Sequence, residues 1–204
     1  MKRTALTSAQ QRVLEELIAT RGMVVTTQDV LDLLHFETTA SKYRFVSHLA
    51  AAGWLVRIKQ GLYQIADVGT LGTLTLSRFA VAHLLLPESY VSFESALQYH
   101  GLYDQLMRGT TSVSLIQHAT VERQGYAYAY VKTASKYFYG WREHAIDGQL
   151  IRIAAPEKAL IDSIQFHRTD VATDIVREKL FDYQDTLDWP LFHTYLVRAN
   201  LTTQ

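Results

Sequence analysis

The sequence predicts an α+β protein, an N-terminal winged helix-turn-helix followed by a larger α+β domain with a small, mostly antiparallel sheet. Three observations carry this expectation. Helical spacing of apolar residues recurs three times between residues 9 and 52, then gives way to two short alternating runs around Gln60-Gly61. Residues 67–75 hold two Gly and three Thr and read as a linker. Beyond it, short aromatic and β-branched runs lie between helical segments.

In the first segment, Val13, Leu14, Leu17 and Ile18 repeat at helical spacing over Ala9–Thr20, with Ser8 as a candidate N-cap and Arg21-Gly22 as the stop. After the extended Met23-Val24-Val25, Thr26 or Thr27 can cap a short second helix with Val30, Leu31, Leu33 and Leu34 on its apolar face. A turn through Glu37-Thr38-Thr39 leads to a third helix, Ser41–Ala52, where Tyr43, Val46, Leu49 and Ala50 form the apolar stripe and Gly53 ends it. Leu55, Arg57 and Lys59 then alternate with Val56 and Ile58 as a strand, and Gln60-Gly61 turns it into a second strand through Ile65.

Three helices and a hairpin within residues 1–66 have the order of a winged helix, whose third helix can enter the major groove while the hairpin reaches the backbone. The basic residues fall where that geometry needs them. Ser41, Lys42, Arg44, Ser47 and His48 lie mostly off the buried stripe of helix three and are the candidate major-groove residues; Arg57, Lys59 and Gln60 are the candidates on the wing. Two alternatives stay open: Arg44 can pair with Glu37, and Tyr43 can be core. Small helical domains with a hairpin also serve as protein-interaction modules that never touch DNA.

Composition sets the outer limits. A chain of 204 residues with 48% hydrophobic and 20% charged residues has enough apolar surface for a core, which excludes a disordered chain. It contains no Cys, so disulfides, thiolate zinc sites and cysteine nucleophiles are excluded. Phe79–Leu86, the longest apolar run, includes His83 and is too short to cross a membrane, and Met1-Lys2-Arg3-Thr4 lacks the apolar continuation of a signal peptide. A cytoplasmic location is expected. The net charge is zero, which taken alone opposes a nucleic-acid partner. Divided at residue 66 it does not: the first segment has eight Lys and Arg against five Asp and Glu, +3, and the remainder carries −3.

The second segment, 76–204, opens with a helical stretch over Leu76–Leu86 stopped by Pro87, and Tyr90–Leu102 reads as a capped helix ended by Gly101. Ser112–Ile116, Tyr126–Val131, Tyr137-Phe138-Tyr139 and Leu150–Ala154 read as short strands. Pro156 opens a helix through Phe166, and Val171–Phe181 and Pro190–Ala199 are helical.

Three stretches together, Arg57-Ile58-Lys59-Gln60-Gly61-Leu62-Tyr63, Tyr90–Leu102 and Ala155-Pro156-Glu157-Lys158-Ala159-Leu160-Ile161-Asp162, resemble the AbiEi family of antitoxins in order and spacing. The resemblance implies a winged-helix domain that represses its own operon at inverted repeats of the promoter. It also implies a C-terminal domain that opposes a nucleotidyltransferase-type toxin in a type IV system of abortive phage infection, without a stable complex. A homodimer on double-stranded DNA would follow from the repeats. Members of the family that act as solitary transcriptional regulators are the alternative.

Chemistry is sparse. Glu157, Lys158 and Asp162 have the residue types of a carboxylate-lysine nuclease centre. The competing structural reading places Glu157 at a helix N-terminus and Lys158 and Asp162 as an i, i+4 pair. The eight His residues show no HExxH or similar spacing, and no phosphate loop or GxSxG elbow is present, so neither a cofactor nor a metal is expected, nor an enzyme. Tyr126, Tyr128 and Tyr130 share a strand face that could stack bases or pack under helices. Ser92 and Glu94 fit capping roles, and His100 beside Gly101 fits a bond to a helix-end carbonyl.

Overall fold

Three threonines start the N-terminal helices. A hydroxyl one residue before a helix accepts a hydrogen bond from the first-turn N–H groups that have no partner inside the helix. In the computed structural model, which describes residues 5–36, 38–66, 76–166 and 170–201 and, for 170–172, the backbone only, Thr7 caps α1 (Ser8–Arg21), Thr26 caps α2 (Thr27–Leu33) and Thr38 caps α3 (Thr39–Ala51). Thr7 and Thr26 form reciprocal capping boxes with Gln10 and Asp29. The cap of α1 is therefore Thr7 rather than Ser8, and α3 begins two residues before the expected Ser41.

The sheet of this unit has three antiparallel strands in the order β1-β3-β2: β1 (Val24–Thr26), β2 (Leu55–Lys59) and β3 (Leu62–Ile65). The expected hairpin is β2-β3, and the extended Val24-Val25-Thr26 adds a third strand through the Val24↔Gln64 and Thr26↔Leu62 pairs. Gly61, at φ +73, makes the turn. Its carbonyl accepts a hydrogen bond from the Thr27 N–H at 2.8 Å, which ties the hairpin tip to the start of α2. Leu14, Leu17, Val30, Val46, Leu49, Trp54, Leu55 and Ile65 fill the core between helices and sheet. The arrangement is that of a helix-turn-helix domain with a hairpin after the third helix.

The chain divides into two compact units, Met1–Leu76 and Ser77–Gln204. The stretch expected to be the linker, 67–75, lies outside the described residues.

The second unit is built on a mixed six-stranded sheet of order β6-β7-β5-β4-β9-β8. Its strands are β4 (Tyr90–Val91), β5 (Gly109–Ser114), β6 (Val121–Arg123), β7 (Tyr126–Lys132), β8 (Trp141–Ile146) and β9 (Gln149–Ala154). β4-β5, β6-β7 and β8-β9 pair antiparallel, whereas β4-β9 and β5-β7 run parallel. Five helices accompany it: α4 (Arg78–Leu85), α5 (Phe93–Tyr99), α6 (Pro156–Phe166), α7 (Asp170–Asp182) and α8 (Trp189–Arg198). α6 packs against α5, α7 and α8. Among the described residues no helix is long and apolar enough to cross a membrane.

The α+β class thus holds, with three local corrections. Tyr90–Leu102 is not one helix, because Tyr90 and Val91 pair with β5 and β9 and the helix begins only at Phe93. Phe93 makes the break at φ +55, a left-handed conformation rare for a bulky side chain. Tyr137-Phe138-Tyr139 is not a strand, since Ser135–Tyr137 form a 3-10 turn. The rings there serve packing instead, Phe138 lying edge-on to Tyr90 with centroids 5.0 Å apart. Finally, β6 and β8 are the two edge strands, and the polar Arg142-Glu143-His144 in β8 and Glu122 in β6 hide them from a hydrophobicity-based reading.

Candidate nucleic-acid interface

On α3 the buried side chains are Val46 and Leu49, and Phe45 packs partly against the core. Helical spacing then leaves Ala40, Tyr43, Arg44, Ser47, His48 and Ala51 exposed along a single stripe. Tyr43, a stripe residue of the expected core, is corrected by this geometry: it is 51% exposed and stands between the small residues on the outer face. Its aromatic character disguised it, because the true apolar face is carried by Phe45, Val46 and Leu49.

The other expected residues of the helix divide into two groups. Arg44 and Ser47 are exposed at the middle of the stripe. Lys42, Ser41 and His48 are engaged within the domain. The Lys42 ammonium donates to the Leu31 carbonyl at 2.9 Å, which satisfies a carbonyl near the end of α2. Ser41 shares a hydrogen bond with the Thr38 hydroxyl at 2.8 Å, and its N–H is the one capped by Thr38. His48 Nδ1 lies 3.1 Å from the side-chain nitrogen of Gln10, linking α3 to α1; with an amide N–H as donor, Nδ1 is the acceptor. Glu37, the possible partner of Arg44, lies outside the described residues.

On the hairpin, Arg57 and Gln60 are exposed and Lys59 is half-buried, while Ile58 between them is buried in the core. A register shift between Arg57 and Lys59 bends the strand there, so that Arg57 lies opposite Tyr63 and Lys59 opposite Leu62. Near the tip of the hairpin, Asp29 accepts from the Thr26 hydroxyl and N–H at 2.6 and 2.7 Å and pairs with Arg21 at 3.4 Å. The Thr26 side-chain hydrogen bond, then its N–H bond and Arg21, hold the Asp29 carboxyl below its ordinary value.

In the second unit most of the residues weighed for chemistry make internal bonds. Lys158 and Asp162 do form the i, i+4 pair, and the pair is fully buried rather than on a helix surface. Asp162 also accepts from the Tyr90 and Ser92 hydroxyls at 3.0 and 2.6 Å. Burial pushes the Asp162 carboxyl up and the Lys158 ammonium down, opposed in each case by the partner charge. Lys158 further lies 4.3 Å from the Tyr139 ring centre. Ser92 is the residue before α5, yet its hydroxyl makes no cap bond because Asp162 takes it. Glu157 bonds the Asp188 N–H at 2.9 Å, and His100 Nε2 meets the Ala154 carbonyl at 2.8 Å, at a strand end rather than a helix end. Glu94 sits in the first turn of α5. Tyr128 and Tyr130 are buried, and burial holds the Tyr128 phenol up at about 12, so only Tyr126 faces outward. Among the described residues no three His, Asp or Glu converge as a metal site.

None of the curated proteins compared matches the chain. Among solved structures, the RV2827C protein from Mycobacterium tuberculosis is similar in fold, with a TM-score of 0.68 at 13% identity, over 97% of this chain and 77% of that one. The profile of a family described as transcriptional regulator, AbiEi antitoxin, matches residues 12–66, the segment that holds α2, α3, the hairpin and most of α1. It is to the AbiEi antitoxin family of transcriptional regulators that residues 12–66 of the chain are similar.

Proposed function

We propose that the protein is an antitoxin of an AbiE-like, type IV abortive-infection system that also represses its own operon. In this reading residues 1–66 are a winged helix-turn-helix that binds inverted repeats of the promoter, and residues 76–204 are the antitoxin domain that opposes a nucleotidyltransferase-type toxin without a stable complex. The protein acts in the cytoplasm. The observation that carries the DNA assignment is the exposed stripe of α3, with Arg44 flanked by Tyr43 and Ser47 and bounded by two alanines that let the helix approach a groove closely. The family match over the same segment supports it.

Within the stripe Arg44 is assigned as the base reader, because its planar fork suits a guanine edge, with Tyr43 and Ser47 beside it. Arg57, Lys59 and Gln60 are assigned to the backbone. Lys42, Ser41 and His48 keep their place in the interface, acting through the internal bonds that set the position of α3. An inverted repeat engages two protomers, related by the twofold of the operator.

The test is a gel shift on the promoter fragment at moderate salt. Arg44→Ala should cost ~1–3 kcal/mol and relax specificity at one position, whereas Lys59→Ala should weaken all sequences alike. Unchanged promoter binding by the double variant removes the DNA assignment. For the second domain, co-expression with a nucleotidyltransferase-type toxin of an AbiE-like system should restore growth to cells that the toxin alone arrests, and failure to do so leaves a solitary repressor.

A further inference from the structure

A cleft of about 330 Å³ in the second unit has no part in the function proposed above. Such a volume falls at the small end of the range of metabolite sites, ~300–1,000 Å³. Its two polar walls differ in sign. Arg142 and His144, two residues apart on β8, project from one face of that strand, and His100 joins them from the end of α5. Glu157 of α6 and Asp188, the cap of α8, line it as well. Ile153, Pro156 and Leu191 supply apolar surface.

Each carboxylate uses one oxygen on the backbone: Glu157 Oε1 accepts from the Asp188 N–H, and Asp188 Oδ1 from the Leu191 N–H, both at 2.9 Å. Among the described residues neither is ion-paired to Arg142, although all three charges act on the nearby Tyr195 phenol. A cation and two carboxylates thus border one small space without closing on each other. A simple anion would meet the two carboxylates, and a simple cation would meet Arg142. For a metal ion, no three ligands converge among the described residues. A molecule with both charges satisfies both walls. We propose that this cleft binds a small zwitterion of the amino-acid class, its carboxylate on Arg142 and its ammonium on the free oxygens of Glu157 and Asp188.

The full-length protein, titrated calorimetrically with each standard L-amino acid, tests this. At least one should bind. Its two half-molecules, the acid without the amine and the amine without the carboxylate, should each bind at least about tenfold more weakly, since a charge-assisted hydrogen bond is worth ~1.5–3 kcal/mol. Arg142→Ala removes an exposed side chain, and Glu157→Gln keeps an acceptor for the Asp188 N–H; each should lower affinity by about the same factor while the ligand-free melting temperature stays within a few degrees. A variant that melts early is replaced by Arg142→Gln, which carries the same expectation. No binding by any amino acid, equal binding of a half-molecule, or full affinity in the folded Arg142 variant overturns the assignment.

Discussion

Asp162→Asn should be among the most damaging single substitutions in the second unit, although it changes one atom. The native carboxylate accepts from Lys158, Tyr90 and Ser92, and neither it nor the ammonium has any solvent exposure. Asparagine keeps one acceptor for the hydroxyls but leaves the ammonium with no counter-charge in the interior. Removing one member of a buried ion pair costs ~3–5 kcal/mol, a large fraction of the ~5–15 kcal/mol that holds a domain together. At ~2.1 cal/mol/K per residue, unfolding Ser77–Gln204 carries an entropy near 0.27 kcal/mol/K, so a 4 kcal/mol loss lowers the melting temperature by about 15 °C. Scanning calorimetry of the full chain reads this directly. Adding Lys158→Met, which replaces the stranded ammonium by an apolar chain of similar length, should recover half or more of the loss. If Asp162→Asn shifts the transition by less than about 4 °C, or if Lys158→Met makes it worse, the pair is not the buried electrostatic unit argued for here.

Gly140 sits at φ +76, and a methyl group there would meet Lys158 Cγ at 2.9 Å and Tyr195 Cζ at 3.0 Å. Gly140→Ala should therefore destabilise the second unit by ~1–3 kcal/mol, measured as a lower urea midpoint at constant slope. Asp29 has a depressed folded pKa, so its contribution is complete above its unfolded value of about 4 and is lost as pH falls through the folded one. Melts of the first unit between pH 7 and 3 should show this acid loss, and Asp29→Asn should be less stable at pH 7 and flatter with pH. Lys42→Met should lower the stability of the first unit by ~1 kcal/mol through the lost Leu31 bond, with a loss of DNA affinity shared by all sequences. A specificity change at a single base would instead make Lys42 a reader.

The N-terminal unit was legible from the sequence because its signals are local. Hydroxyl caps, 3.6-residue spacing and a Gly turn each act within a few residues, and Thr7 against Ser8 is the scale of the error. Tyr43 escaped because a tyrosine at helical spacing fits a core stripe, and only the packing of Phe45 on the other side turns it outward. In the second unit the misreadings share a cause, which is that partners lie far away in sequence. Tyr90-Val91 is a strand only because Ile153 and Val113 lie beside it. Ser92 abandons its cap for Asp162, seventy positions on. Glu157 and Asp162 look alike on one helix, yet one binds a backbone N–H thirty-one residues away and the other neutralises a lysine.

The parallel pairing of β4 with β9 has a consequence in time as well as in space. Val91 waits for Ile153, with about sixty residues between them, and until Ile153 has emerged the middle of the sheet has no β9. Closing so long a loop before its contacts form is a slow step in folding. The strands of the first unit find partners within about forty residues, Val24 with Gln64 at the widest, and its helices within fewer. During synthesis the unit with the exposed α3 stripe therefore completes its fold while the second is still missing strands, so a nascent or truncated chain presents that stripe before it has a folded second unit.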